Sequence, residues 1–269
     1  MRLCMTQVYA NFLNETLLTQ NKSIESYTVN NQKVWLKKST ARHSTWIYWP
    51  LTWFSHLFGL SMLRPVPNYG GEKTIACEVS RIQQLSSMGI SVPTILAYSK
   101  QGLLLKDAAE NNIPVYQLQA ALSQEKEISA RLSLYKKAIS KIQHIHDLNG
   151  YLSEAFARNI LVDKNQHFSF IDFETNPADI LSIPECHTRD WLCFIFSTAN
   201  CFEEQYLAEI SEYYVQHLKN HPDVYHGICK VGRKLHWVLK FNPEKFGSDG
   251  RRLKNCVLLL ALLAQKKAV

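Results

Sequence analysis

No Cys-x-x-Cys pair occurs in this chain. Its seven cysteines, Cys4, Cys77, Cys186, Cys193, Cys201, Cys229 and Cys256, are odd in number and widely spaced. That spacing argues against zinc or dithiol redox chemistry and suits free thiols in a reducing compartment. Glycines and prolines are few and scattered, ten and nine respectively, and neither a low-complexity segment nor an internal repeat is visible, which sets repeat architectures aside. Arg2 is not followed by a continuous apolar stretch with a cleavage site, so a secretory leader is not expected and the cytoplasm is the default location. Basic residues are mostly dispersed, without the aromatic interleaving of a single-strand platform, so nucleic acid is not expected as a partner.

What is present describes a globular chain. Of 269 residues, 46% are apolar and 20% charged, enough to bury a large core as one domain or two lobes. Lysine and arginine exceed the acids by 30 to 23, a net charge of +7. That balance favours anionic partners such as nucleotides, nucleic acid, phosphorylated glycans or the inner leaflet of a membrane, and by itself does not choose among them.

Strand signals come first along the chain. Ile24 to Val29 alternates loosely, Asn30-Asn31 marks a turn, and Lys33 to Lys37 resumes a strand; the opening region as a whole reads as short strands. Ile75, Val79, Ile82 and Leu85 recur at a helical period within Thr74 to Met88, and Gly89 stops that helix. Strands follow at Thr94 to Tyr98 and Gly102 to Lys106. Ala108 to Ile113 reads as a connector. Helical patterns then dominate, at Glu127 to His146, Asp190 to Ser197, Glu203 to Leu218 and Arg251 to Lys266. Strands followed by helices predict an α+β fold in two unequal lobes.

The helical half is interrupted by Leu152-Ser153-Glu154-Ala155-Phe156-Ala157-Arg158-Asn159-Ile160-Leu161-Val162 and by Phe170-Ile171-Asp172-Phe173-Glu174. Asn159 and Asp172 stand at the ends of two short apolar runs, separated by a turn at Asp163 to Gln166. Oxygen-bearing side chains delivered this way can hold a magnesium ion between the phosphates of a nucleotide. Glu154, five residues before Asn159, stands where a group would orient the attacking hydroxyl. The bland alternatives are that Asn159 and Asp172 are turn residues and that Glu154 caps a helix after Ser153. Glu174 is either a second carboxylate of the site or a solvated charge.

This arrangement resembles the protein-kinase-like superfamily, and more narrowly the bacterial lipopolysaccharide core (Kdo/heptose) kinases, over roughly residues 24 to 200 and most strongly over 142 to 174. The resemblance implies a two-lobed fold, with a small mixed N-terminal lobe over 1–106, carrying an aromatic insert at 39–71, and a larger helical C-terminal lobe over 107–269. Lys37 in Val-Trp-Leu-Lys matches the nucleotide-binding lysine of the third strand, and Glu78 in Ala-Cys-Glu-Val matches the glutamate that fixes it. Asn159 matches the catalytic-loop asparagine, and Asp172 in Ile-Asp-Phe-Glu the metal-binding aspartate. Asp190 in Thr-Arg-Asp-Trp matches an aspartate that braces the catalytic loop, and His146 a histidine just ahead of it. Glu154 replaces the catalytic aspartate, Leu152 the histidine two places earlier, and Glu174 the glycine after Asp-Phe. No Gly-x-Gly-x-x-Gly stretch precedes Lys37.

One segment stands apart. Trp46 to Leu63 contains no Lys, Arg, Asp or Glu and three tryptophans, Trp46, Trp49 and Trp53, with Arg42 before it and Arg64 after. Its length is near the lower limit for a bilayer span, but Pro50, Thr52, Ser55 and His56 favour an interfacial segment or one packed inside the protein. The resemblance therefore implies an ATP- and magnesium-dependent phosphotransferase acting on a lipid-linked sugar or envelope glycolipid, peripheral to the inner membrane. The rival is a membrane-associated pseudokinase that binds a nucleotide or a partner. Oligomeric state is not legible.

Overall fold

The computed structural model describes residues 2–39, 60–109 and 113–266. The fold is mixed α+β, with a small antiparallel sheet in the N-terminal region and helices in the C-terminal part. Two compact units interleave along the chain: one comprises Met1–Tyr48, Val66–Val115 and Asp163–Asn176, the other Trp49–Pro65, Tyr116–Val162 and Pro177–Val269. The aromatic segment read at Trp46 to Leu63 falls mostly at 40–59, outside the described residues, as does the centre of the connector at 110–112.

The first unit is built on four strands, β1 (Ile24–Val29), β2 (Gln32–Lys38), β3 (Ile95–Tyr98) and β4 (Gly102–Lys106). They run antiparallel in the order β1-β2-β4-β3. Asn30 and Asn31 take φ of 51° and 59°, the two left-handed residues that a tight hairpin matching the twist of its strands demands. Val34 and Leu36 of β2 and Leu104 of β4 point to one face, where Tyr9, Leu13 and Leu17 cover them.

Those three residues correct the expectation of strands at the N-terminus. Residues Arg2–Thr19 form a helix, α1. Its apolar stripe is a single row at four-residue spacing, and Asn11, Asn14 and Thr16 weaken intrinsic propensity; burial against the sheet decides its state. Lys38 Nζ donates to the carbonyls of Leu17 (3.0 Å) and Gln20 (2.8 Å), satisfying orphan acceptors at the helix end.

Lys37 follows Leu36 in β2 and so points to the opposite face, beside Leu103, its cross-strand partner. The second helix, α2 (Gly71–Ser87), lies against β3 and β4. It buries Ile75, Glu78, Val79, Ile82 and Leu85 along one side. Gly89, at φ 75°, ends it in the left-handed conformation a C-terminal glycine supplies. The unit also contains β5 (Phe168–Phe170) and the turn before it. The Asp163 carboxylate accepts the amides of Asn165 (2.8 Å) and His167 (2.9 Å) there, as an Asx turn does.

The second unit is helical: α3 (Leu118–Gln124), α4 (Ile128–Asp147), α5 (Ile183–Thr198), α6 (Leu207–Leu218), α7 (Pro222–Leu235) and α8 (Gly247–Gln265). The sequence reading missed α3 and α7, although Pro222 at the first turn of α7 is a start signal. Tyr135, Trp191, Phe194 and Tyr214 form an aromatic centre, with Tyr135 stacked on Phe194 at 5.2 Å. The Tyr135 and Tyr214 hydroxyls meet at 2.9 Å, so neither buried oxygen lacks a partner. A Cβ at Gly232 of α7 would collide with the Leu260 carbonyl of α8; the absence of a side chain is what lets these helices touch. Val257, Leu259, Leu260 and Leu263 of α8 are buried. Among the described residues, no helix is long and apolar enough to cross a membrane.

Candidate functional site

In the first unit three sequence-distant carboxylates converge on one ammonium. Lys37 Nζ donates to Glu78 Oε1 at 3.1 Å and lies 2.9 Å from Oε2, a second ionic contact outside hydrogen-bonding geometry. It donates to Asp172 Oδ1 at 3.1 Å and pairs with Glu174 Oε1 at 2.8 Å. Glu78 occupies the buried side of α2 with a side chain only 2% exposed, where an unpaired carboxylate would be costly. Asp172 follows β5 and takes φ 73°, a left-handed backbone that aspartate tolerates better than most residues. Its side chain remains 43% exposed.

One positive against three negative groups leaves a formal surplus of two negative charges. Burial by itself pulls the Lys37 ammonium pKa down, but the carboxylates of Glu78, Asp172 and Glu174 outweigh it and raise the pKa well above the ordinary lysine range. Burial pushes the Glu78 carboxyl up; Lys37 pulls it back, and the net shift is upward. The ammonium therefore stays charged, and the surplus can be neutralised by a further cation.

Glu174 is tied in more firmly than the sequence suggested. Its Oε2 accepts from Asn68 Nδ2 at 3.1 Å, and Asn68 Oδ1 accepts from the Gly70 amide and the Thr74 hydroxyl, each at 2.9 Å. The start of α2 thus orients the third carboxylate. Sequence reasoning did not select Asn68; an Asn two residues before Gly70-Gly71, at a helix start, was the available signal.

In the second unit the segment from Leu148 to Asn159 is held by side chains of α5. Asp190, fully buried, accepts from the Leu152 amide at 2.7 Å and from His146 Nε2 at 3.1 Å. His187, one turn earlier, contacts the Gly150 carbonyl through Nε2 at 2.8 Å and stacks on His146 at 4.1 Å. Ser197 Oγ accepts the Ala157 amide at 2.9 Å. Burial, and then the neighbouring His146, depress the His187 pKa to about 4, so its ring is neutral near pH 7 and Nε2–H donates to the carbonyl.

Glu154 pairs with Arg189 Nη2 at 2.9 Å. The same guanidinium donates through Nη1 to the carbonyls of Arg64 (3.1 Å) and Met62 (3.4 Å). Glu154 does not cap a helix, because the next helical turn, Ala157–Asn159, begins after Phe156. Asn159 is buried, and its Nδ2 donates to the Glu154 carbonyl at 3.3 Å. That leaves Oδ1 as its free acceptor. Arg158 lies over the Phe156 ring at 4.5 Å.

Lys37, Glu78 and Asp172 therefore meet in one unit, and Glu154 and Asn159 meet in the other. Arg189 and His187 were not anticipated; their available sequence signal was position, within one turn of Asp190 on the same helix. Among the described residues, no group of three or more His, Cys, Asp or Glu is arranged to hold a metal by itself. No protein-family model matches the chain, and no curated protein matches it.

Proposed function

We propose that this chain is an ATP-dependent phosphotransferase of the protein-kinase-like type, acting on a lipid-linked sugar or envelope glycolipid. The single observation that carries the reading is the convergence of Glu78 and Asp172 on Lys37, pairs 41 and 135 residues apart in sequence. A phosphate-binding lysine must be held charged and aimed, and a partner glutamate on a neighbouring helix does both. Asp172 presents a hard oxygen with 43% of its side chain exposed, and the local negative surplus favours a divalent cation. Magnesium asks for one or two carboxylates and takes its remaining ligands from phosphates and water, so this donor set fits it.

When bound with the nucleotide, magnesium would offset charge developing on the transferred phosphoryl group. The chain's own residues have distinct tasks in this reading. Lys37 exchanges carboxylate partners for phosphate oxygens, while Glu78 keeps its ammonium in place. Asp172 would supply a metal-facing oxygen, and the Asn159 side-chain oxygen is the second one that the kinase resemblance implies. Glu154, restrained by Arg189, aligns the acceptor hydroxyl and receives its proton.

The Glu154–Arg189 pair also supports a second reading. The Glu154 carboxylate is already engaged by a guanidinium, and it stands where an aspartate is expected. A pseudokinase that binds nucleotide or a partner without turnover accounts for that. The test is phosphate transfer from labelled ATP to envelope lipid extracts, alongside magnesium-dependent ATP binding. Transfer that disappears in Asp172→Asn supports the phosphotransferase; binding without transfer supports the pseudokinase. Absence of magnesium-dependent ATP binding defeats the phosphotransferase and the nucleotide-binding pseudokinase alike.

A further inference from the structure

The net charge of this protein is less dispersed than its basic residues. Residues 230–254 contain eight Lys or Arg and two acids, Glu244 and Asp249, a net of +6 in a chain whose total is +7. Both acids are engaged by cations, Glu244 by Lys254 at 3.8 Å and Asp249 by Arg252 at 3.4 Å. Arg233, Lys234, Lys240 and Lys245 are exposed, and none forms an ion pair among the described residues. They flank Trp237, Phe241 and Phe246, which are 44%, 66% and 78% exposed.

Three large aromatics this open within ten residues are unusual for a surface that faces only water. Nor do they belong to a loose loop. The two short helical turns that carry them, His236–Phe241 and Pro243–Phe246, both pack on α8. Asn242 at φ 47° and Gly247 at φ 75° set the reversals between them. Gly250 sits directly under the Pro243 carbonyl, leaving no room for a side chain.

We infer that residues 233–246 form a docking face for an anionic bilayer surface, with Trp237, Phe241 and Phe246 entering the interface and the lysines meeting lipid phosphates. Charge complementarity selects the partner, since apolar rings rimmed by uncompensated cations suit an anionic interface. The rings do not suit a nucleic-acid strand as well. Trp237 and Phe241 meet edge to face, at 87° and 5.7 Å between centroids, whereas successive bases need ring faces open for stacking. The inference does not rest on phosphotransferase activity, and its test reads binding alone.

The full chain is sedimented with vesicles of phosphatidylethanolamine and phosphatidylglycerol, and with vesicles of phosphatidylcholine only. Binding to the anionic vesicles, weakened by salt and nearly absent on the neutral ones, is the expected result. Combined Trp237→Ser, Phe241→Ser and Phe246→Ser should lower affinity about a hundredfold. Combined Lys234→Gln, Lys240→Gln and Lys245→Gln should also lower it about a hundredfold, at roughly fivefold per charge. Circular-dichroism melting confirms that both variants fold. Equal binding to the two vesicle types overturns the inference, as does binding that survives the aromatic variant but is lost when Trp46, Trp49 and Trp53 are replaced. Tight binding of a single-stranded oligonucleotide without vesicle binding overturns it, and so does an aromatic-dependent dimer that ignores lipid.

Discussion

Replacing Lys37 by methionine keeps most of the side-chain volume and removes only the charge that three carboxylates share. Glu78, 2% exposed, then has no cation. Breaking a buried pair from one side costs about 3–5 kcal/mol, because it strands the remaining charge. Asp172, 43% exposed, adds little, since water screens it. The buried glutamate can escape by taking a proton, so the loss depends on pH. Its folded-state pKa is already raised by burial, and without Lys37 it rises further. An acid whose pKa is higher folded than unfolded weakens the fold as pH climbs from the unfolded value, about 4.5, through the folded one. Lys37→Met should therefore melt about 10 °C below the wild type at pH 8, and should lose no more than about half as much at pH 5. Adding Glu78→Gln should restore most of the difference at pH 8, giving a coupling of about 2 kcal/mol or more. Urea and thermal melts of the four proteins at both pH values supply the numbers. A penalty below about 1 kcal/mol that is the same at pH 5 and pH 8, or a double variant no better than Lys37→Met, would refute the buried pairing.

Three further outcomes follow from the helical unit. Asp190→Ala removes the acceptor for the Leu152 amide and for His146, and should destabilise the protein by about 2–4 kcal/mol in urea melts. His187 has a folded pKa of about 4 against roughly 6.5 unfolded; its contribution is whole above pH 6.5 and drains away as pH falls to about 4, by about 3 kcal/mol in total. His187→Gln, which can still donate to the Gly150 carbonyl, should flatten the stability profile across that window. Gly232→Ala places a methyl against the Leu260 carbonyl and should lower stability by about 1–3 kcal/mol by calorimetry; an unchanged melting temperature would mean that the two helices separate without penalty.

Much of the secondary structure was legible because its determinants are local. The Asn30-Asn31 turn, the helical periodicity of α2 and the glycine at 89 act within a few residues of where they are read. They place Lys37 on a strand, Glu78 on a helix and Asp172 just past a strand. The helix Arg2–Thr19 was illegible for the opposite reason: its state is decided by a sheet whose strands begin after it. The same limit applied to the candidate site. Sequence order suggested that Lys37, Glu78 and Asp172 belong together, but only the tertiary structure decides which side chain an ammonium reaches. It brought Glu174 and Asn68 into the cluster and set Arg189 against Glu154 from 35 residues away. It also decided which of the many basic and aromatic residues stay in water, gathering Arg233, Lys234, Lys240 and Lys245 with Trp237, Phe241 and Phe246 on one exposed face. Backbone preference and hydrophobic period are properties of neighbours along the chain, whereas charge pairing and exposure depend on neighbours in space, which a sequence of this length does not specify residue by residue.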